Sequence, residues 1–251
     1  MKSVRYIIVF TLLVLSLVPA AEAQRRRRSV RSAPRIVAPP AGQCHTFGFV
    51  RPGLKATYLS NAQGGDVTST VTYISDSATE TRTTQTVATP QGNAEGETVI
   101  TGEMVGNLRA VKHVFVRTSI MAPVIGRVTT DVDIDFVPSL AVGPAGGWCV
   151  NATWLSSPST QTITTRPSIG PPMTITNTVL ANEGIVLAVG DQITVPAGTF
   201  NTVKYRGTYA SASGAQVAIT WVSMEHNIVV RQDTLDAGGS TTSVMQLTAL
   251  Q

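Results

Sequence analysis

Residues 190–223 read GDQITVPAGTFNTVKYRGTYASASGAQVAITWVS, and this stretch decides the fold class. Pro196 carries the fixed φ suited to the second position of a turn. Gly198 can take the positive φ that a three-residue hairpin loop with a bulge demands. After that turn Val203, Tyr205 and Tyr209 share one face of an alternating run, and Thr202, Lys204, Arg206 and Thr208 share the other. The first set is expected to point inward, with Val217, Ile219 and Trp221 repeating the pattern in the next strand. Met245 and Leu247 repeat it once more near the end of the chain. A period of two without a helical apolar stripe means antiparallel strands.

Working outward, alternating runs occur at Val67–Ile74, Arg82–Val87, Val111–Thr118, Arg127–Phe136, Cys149–Trp154, Met173–Leu180, Phe200–Tyr209, Gln216–Ser223, Ile228–Gln232 and Ser243–Leu250. Turn-forming residues separate them. The spacing predicts an all-β domain, an antiparallel meander forming a curved sheet, half-barrel or sandwich. Turn formers crowd Thr89–Gly96, Gly143–Gly147 and Arg166–Pro172, which are expected as loops. The middle one lacks the Lys and Ser or Thr of a phosphate-cradling loop and reads as a turn. A short helix around Ala181–Gly184 is the one helical option.

The chain opens with Lys2 and Arg5, an apolar or neutral run from Tyr6 to Val18, and the small residues Ala21 and Ala23. This predicts a secretory signal peptide over residues 1–23, because a helix crossing a bilayer needs about 20 apolar residues. Arginines 25–28, Arg31 and Arg35 follow closely, and such a basic flank also fits an uncleaved, inverted anchor. Residues 24–42 are expected as a disordered arm rich in Arg and Pro, and residues 43–251 as one all-β domain.

The formal charge of +4 comes from the leading segments, because the body from Val37 onward carries 11 basic and 14 acidic residues. No nucleic-acid partner is therefore expected. The arm is either a solvated linker or a tether to an anionic envelope surface through Arg25 to Arg35. Near an anionic membrane each charge contributes about 1 kcal/mol. The location this implies is periplasmic or secreted.

Two cysteines, Cys44 and Cys149, make up the whole complement. An even pair in an oxidising compartment predicts a disulfide. Closing so long a loop stabilises by about 4 to 5 kcal/mol on the chain-entropy estimate.

No cofactor motif, nucleophile elbow or catalytic triad can be drawn from the sequence, so the chain reads as noncatalytic. Asp131, Asp133 and Asp135 alternate along one strand face, as a cation site would begin. Same-face residues stand about 6.5 to 7 Å apart, however, which favours a solvated face. His45, His113 and His226 are scattered and share no metal-ligand spacing. Trp148, Trp154, Tyr205, Tyr209 and Trp221 are the natural core or cleft aromatics. They form either a closed core or, on an open curved sheet, an apolar groove.

The stretch GDQITVPAGTFNTVKYRGTY followed by ITWVSMEHNIVVRQD resembles the end of a group of bacterial exported β-domains of unknown function with a VPAGTF hairpin. Those domains are distantly similar to the half-barrels of periplasmic lipoprotein carriers. The resemblance covers residues 190–233 and implies an exported module that binds an apolar ligand, a glycan or an envelope partner. An extracytoplasmic enzyme with a dispersed site is the alternative. An outer-membrane barrel is a third reading, which low aromatic content and a C-terminus without an aromatic residue weaken.

Overall fold

The computed structural model describes residues 43–62, 65–89, 92–122, 126–211, 214–236 and 238–251. The expected signal peptide and arginine arm lie outside the described residues. Alternating Thr and Val, β-branched and stiff at χ1, suit a pleated backbone, and every regular element described is a strand. The strands are β1 (Cys44–His45), β2 (Lys55–Ala62), β3 (Gly65–Asp76), β4 (Glu80–Thr89), β5 (Gly92–Val105), β6 (Leu108–Ala122), β7 (Gly126–Pro144) and β8 (Trp148–Cys149). After these come β9 (Thr153–Leu155), β10 (Ser159–Pro167), β11 (Met173–Val195), β12 (Gly198–Ser211), β13 (Gly214–Ser223), β14 (Val229–Leu235) and β15 (Thr241–Leu250).

Leaving aside the short β1, β8 and β9, each strand pairs antiparallel with the next in sequence, and β15 returns to pair with β2. The expected meander is thus present, but its two ends join to close a 12-strand barrel. Val244 to Leu250 lie against Asn61 to Ala56, and Lys55 and Gln251 exchange both backbone hydrogen bonds at 2.9 Å beyond them. Closure removes the free edges that a half-barrel or sandwich would leave.

Several expected loops are strand. Residues 92–96 begin β5, residues 166–167 end β10, and Ala181–Gly184 lies within the 23-residue β11. In each case hydrogen bonds to neighbouring strands outweigh local turn propensity. Register shifts at Val179/Ala181, Val186/Ala188 and Val189/Asp191 mark bulges in β11, which bend it around the barrel. At the β11–β12 turn Val195 pairs with Gly198. The connection is therefore Pro196-Ala197, two residues and not three, and Gly198 has φ 136°.

The face assignment holds for β12, where Val203 and Tyr209 are buried, and for Leu247. It fails for β13. Val217, Ile219 and Trp221 pair with Thr208, Arg206 and Lys204, so they stand on the outward face, where Trp221 is nonetheless buried, and Thr220 is the buried neighbour on the inward face. Register overrides hydrophobicity here because one residue of shift exchanges the faces.

Inward-facing residues meet in continuous cross-strand rows, such as Leu247, Tyr58, Ser69, Val87 and Ala94, all buried. Four apolar clusters lie in the interior, the smallest made of Val87 and Ala94. One gathers Val114, Val116, Val132, Ile134, Phe136, Leu140, Val179 and Tyr209. A second gathers Tyr58, Val195, Ile228, Val230 and Leu247, and a third gathers Trp154, Val186, Val189 and Val203.

Ion pairs span the outward face. Arg117 forms a bidentate pair with Asp131 at 2.8 Å, Arg127 bonds Glu95 at 2.6 Å and Arg82 bonds Glu97 at 3.3 Å. A transmembrane barrel needs the reverse order, an apolar band outside, and charged residues there cost about 2 to 4 kcal/mol at the midplane.

Candidate functional site

The short elements gather at one end of the barrel, with the β5–β6, β11–β12 and β13–β14 turns. Cys44 pairs with Cys149 across β1 and β8, and the two form a disulfide with an S–S distance of 2.01 Å. The strap that follows, residues 46–53, has few sheet bonds and is held by side chains. Asn227 accepts from Gly48 N at 3.3 Å through Oδ1 and donates to Phe49 O at 3.2 Å through Nδ2. Asp76 accepts from Val50 N at 2.7 Å. Asn227 turns the chain with φ 59°, a conformation that Asn tolerates better than most residues, and the same side chain holds the strap.

Beneath the strap the rings meet edge to face. Phe47 lies 5.3 Å from Trp148, Trp148 lies 5.4 Å from Trp154 and 5.2 Å from Tyr205, and Trp154 lies 5.6 Å from Tyr205. His45 packs on Phe47 at 4.8 Å. Two glycines make the space. A Cβ on Gly184 would stand 2.0 Å from Trp154 Cζ2, and one on Gly143 would stand 2.6 Å from Trp148 Cζ2. Burial lowers the pKa of His45, whose Nε2 has no hydrogen-bond partner among the described residues. Burial raises that of Tyr205, which stands opposite Thr220 in the next strand.

Of the five large aromatics read from the sequence, Trp148, Trp154 and Tyr205 therefore meet, while Tyr209 belongs to the separate cluster around Val179. Trp221 lies on the outward face, with Lys204 Nζ 4.8 Å and the Arg231 guanidinium 5.6 Å from its ring centre. Phe47, Gly143, Gly184 and Asn227 had no sequence signal beyond residue type, because their roles exist only once distant strands are adjacent.

Two of the three aspartates of β7 are bound up in cross-strand pairs. Asp131 pairs with Arg117, which holds its carboxyl below the usual range, and Asp133 takes His113 at 3.2 Å and also Arg166. Among the described residues no three His, Cys, Asp or Glu are placed to hold a metal ion.

Two open depressions mark the strap end. The larger, about 680 Å³, is lined by His45, Phe200, Asn201, Ser223, Glu225 and His226 among others. Ser223 Oγ accepts the N–H groups of Glu225 at 3.3 Å and His226 at 3.1 Å, and the His226 ring meets Phe200 edge to face. The smaller, about 490 Å³, lies beside β9 and is lined by Asn107, Leu108, Thr153, Leu155, Glu183 and Arg206 among others.

No protein-family model matches the chain. No curated protein matches it either. Two solved structures are similar. One, provisionally named a lipoprotein, is from Parabacteroides distasonis ATCC 8503, with 13% identity, a TM-score of 0.36, and coverage of 84% of this chain and 100% of that one. The other, provisionally named an exported protein with YmcC-like fold, is from Bacteroides fragilis NCTC 9343. It has 10% identity, a TM-score of 0.39, and coverage of 83% of this chain and 100% of that one. At these scores neither carries a functional assignment.

Proposed function

We propose that the chain is an exported, noncatalytic module that holds a macromolecular partner of the cell envelope at the disulfide-tied end of its barrel. Export is supported by the apolar run Tyr6–Val18 with Ala21 and Ala23, and by the oxidised Cys44–Cys149 pair. The observation that carries the reading is the asymmetry of the barrel. Its interior is filled by side chains, which speaks against an enclosed acyl ligand, and its irregular segments and both depressions gather at one end. Function concentrates on such segments when a rigid scaffold presents them. Val150 N bonds Gln43 O at this end.

Photo-crosslinking in the native envelope tests this. A benzoylphenylalanine at Phe49, Leu155 or Thr199 is expected to give envelope adducts, whereas one on the outer wall at Thr68, Thr86 or Thr176 is not. Adducts from the wall with none from the strap end would overturn the assignment.

A further inference from the structure

The strands of the closed barrel differ in length, and the mismatch leaves one long step. β12 ends at Ser211, opposite Val179, and turns back into β13 at Gly214. Residues 173–178 of β11 run on past that point at the end opposite the strap, paired with β10 on one side and with no described strand on the other. All six are exposed. Antiparallel pairing alternates, so every second residue of this stretch directs its N–H and C=O away from β10. Natural edges are blunted by Lys, Pro, bulges or a covering element. This one reads Met-Thr-Ile-Thr-Asn-Thr, and no charged residue stands anywhere from Pro167 to Asn182. Its inward side is apolar. Ile175 ends the cross-strand row of Val114, Ile134 and Ile163 but is 45% exposed, and Met173 on the same face is 56% exposed.

We propose that two copies of the chain pair antiparallel through this edge, with Ile175 against Ile175. A two-fold axis relating two antiparallel edges stands perpendicular to the sheet, so residues of the same face meet and the register is symmetric about one residue. Centred on Ile175, that register sets Thr174 of each copy opposite Thr176 of the other, and Met173 opposite Asn177. The fold already uses such hydroxyl pairs between directly opposite residues, at Thr57–Thr70 (3.0 Å), Ser119–Thr129 (3.1 Å), Thr164–Thr174 (3.3 Å) and Thr194–Thr199 (2.9 Å). With no charge on the segment, two identical edges meet without repulsion, and their pairing covers Ile175 and Met173. Pro171 and Pro172 on one side and the end of β12 on the other confine the contact to residues 173–177, and so short a contact makes a reversible dimer. Because β11 reaches the strap end only at its C-terminus, the two strap ends of the dimer point away from each other.

Sedimentation of the oxidised mature chain from micromolar to millimolar concentration tests this, and a monomer–dimer equilibrium is expected. Thr174→Lys with Thr176→Lys sets like charges opposite each other across the two-fold, and so does Thr174→Glu with Thr176→Glu. Each double variant should weaken association about tenfold or more, and keep its melting temperature because both side chains are exposed. Mixing the two variants sets Lys opposite Glu at both pairs and should restore the dimer. A chain that stays monomeric at every concentration, a dimer that neither double variant weakens, or variants that fail to pair when mixed would overturn the proposal. A monomeric chain whose benzoylphenylalanine at residue 176 captures a different polypeptide would overturn it too, and give the edge to that protein. A crosslink at residue 176 that joins two copies of this chain is no envelope adduct, so the strap-end reading stands or falls separately.

Discussion

Gly184 and His45 show how much of the strap end rests on single residues. Gly184 supplies the floor on which Trp154 lies, and any side chain there meets the indole ring within bond-length range. Gly184→Ala is expected to destabilise by about 2 kcal/mol or more, the upper part of the range for overpacked sites. Chemical denaturation would measure this, and a neutral result would mean that Trp154 is not seated on β11. His45 supplies a pH dependence. Its pKa is lowered by burial, so the unfolded chain binds the proton more readily. Stability from this group is present above the unfolded value of about 6.5 and falls as pH drops below it. His45→Gln should flatten the stability profile between pH 7 and 5. An unchanged profile would show that the ring is equally protonated in both states.

At the scale of elements, the β11–β12 hairpin is where sequence and structure agree most closely. Gly198 carries a φ of 136°, which a side chain strains against, whereas Pro196 mainly restricts the unfolded chain. Gly198→Ala should cost about 1 kcal/mol and Pro196→Ala less, as thermal melts would report; equal costs would contradict the turn assignment. Hairpins of this kind are legible because their chemistry is local. The neighbouring β13 was not. Its alternation of Val217, Ile219 and Trp221 looks like a core face, yet the register set by β12 and β14 turns those side chains outward beneath Lys204 and Arg231. Long aliphatic stems and cationic heads bury the indole from above, a contact between strands that no period in one strand can display. The loops expected at 92–96 and 166–167 and the helix at 181–184 failed similarly, since Gly and Pro propensities yield where strands on both sides supply hydrogen bonds.

For the whole molecule, composition and periodicity made the all-β meander readable, and cysteine count with the expected export signal made the disulfide readable. Closure was not. Whether a meander of this length stays an open curved sheet or joins its ends depends on β2 meeting β15 across nearly the full sequence, and Lys55–Ala62 was not recognised as a strand. The candidate site suffered for the same reason. Trp148 and Trp154 were visible as aromatics, but the glycines beneath them follow from tertiary pairing alone. Closure also bears on the proposed function, since an open sheet would offer a groove for an apolar ligand whereas the closed barrel holds apolar clusters inside it.

Amide hydrogen exchange at the β2–β15 seam tests that claim most directly. In the closed barrel the amides of Ala56 to Ser60 and Met245 to Leu250 that lie in the ladder should exchange as slowly as those of the central β5–β6 pair, because all are bonded within one cooperative sheet. Exchange at this seam approaching the rate of an unpaired edge, with β5–β6 still protected, would show an open half-barrel and contradict the account.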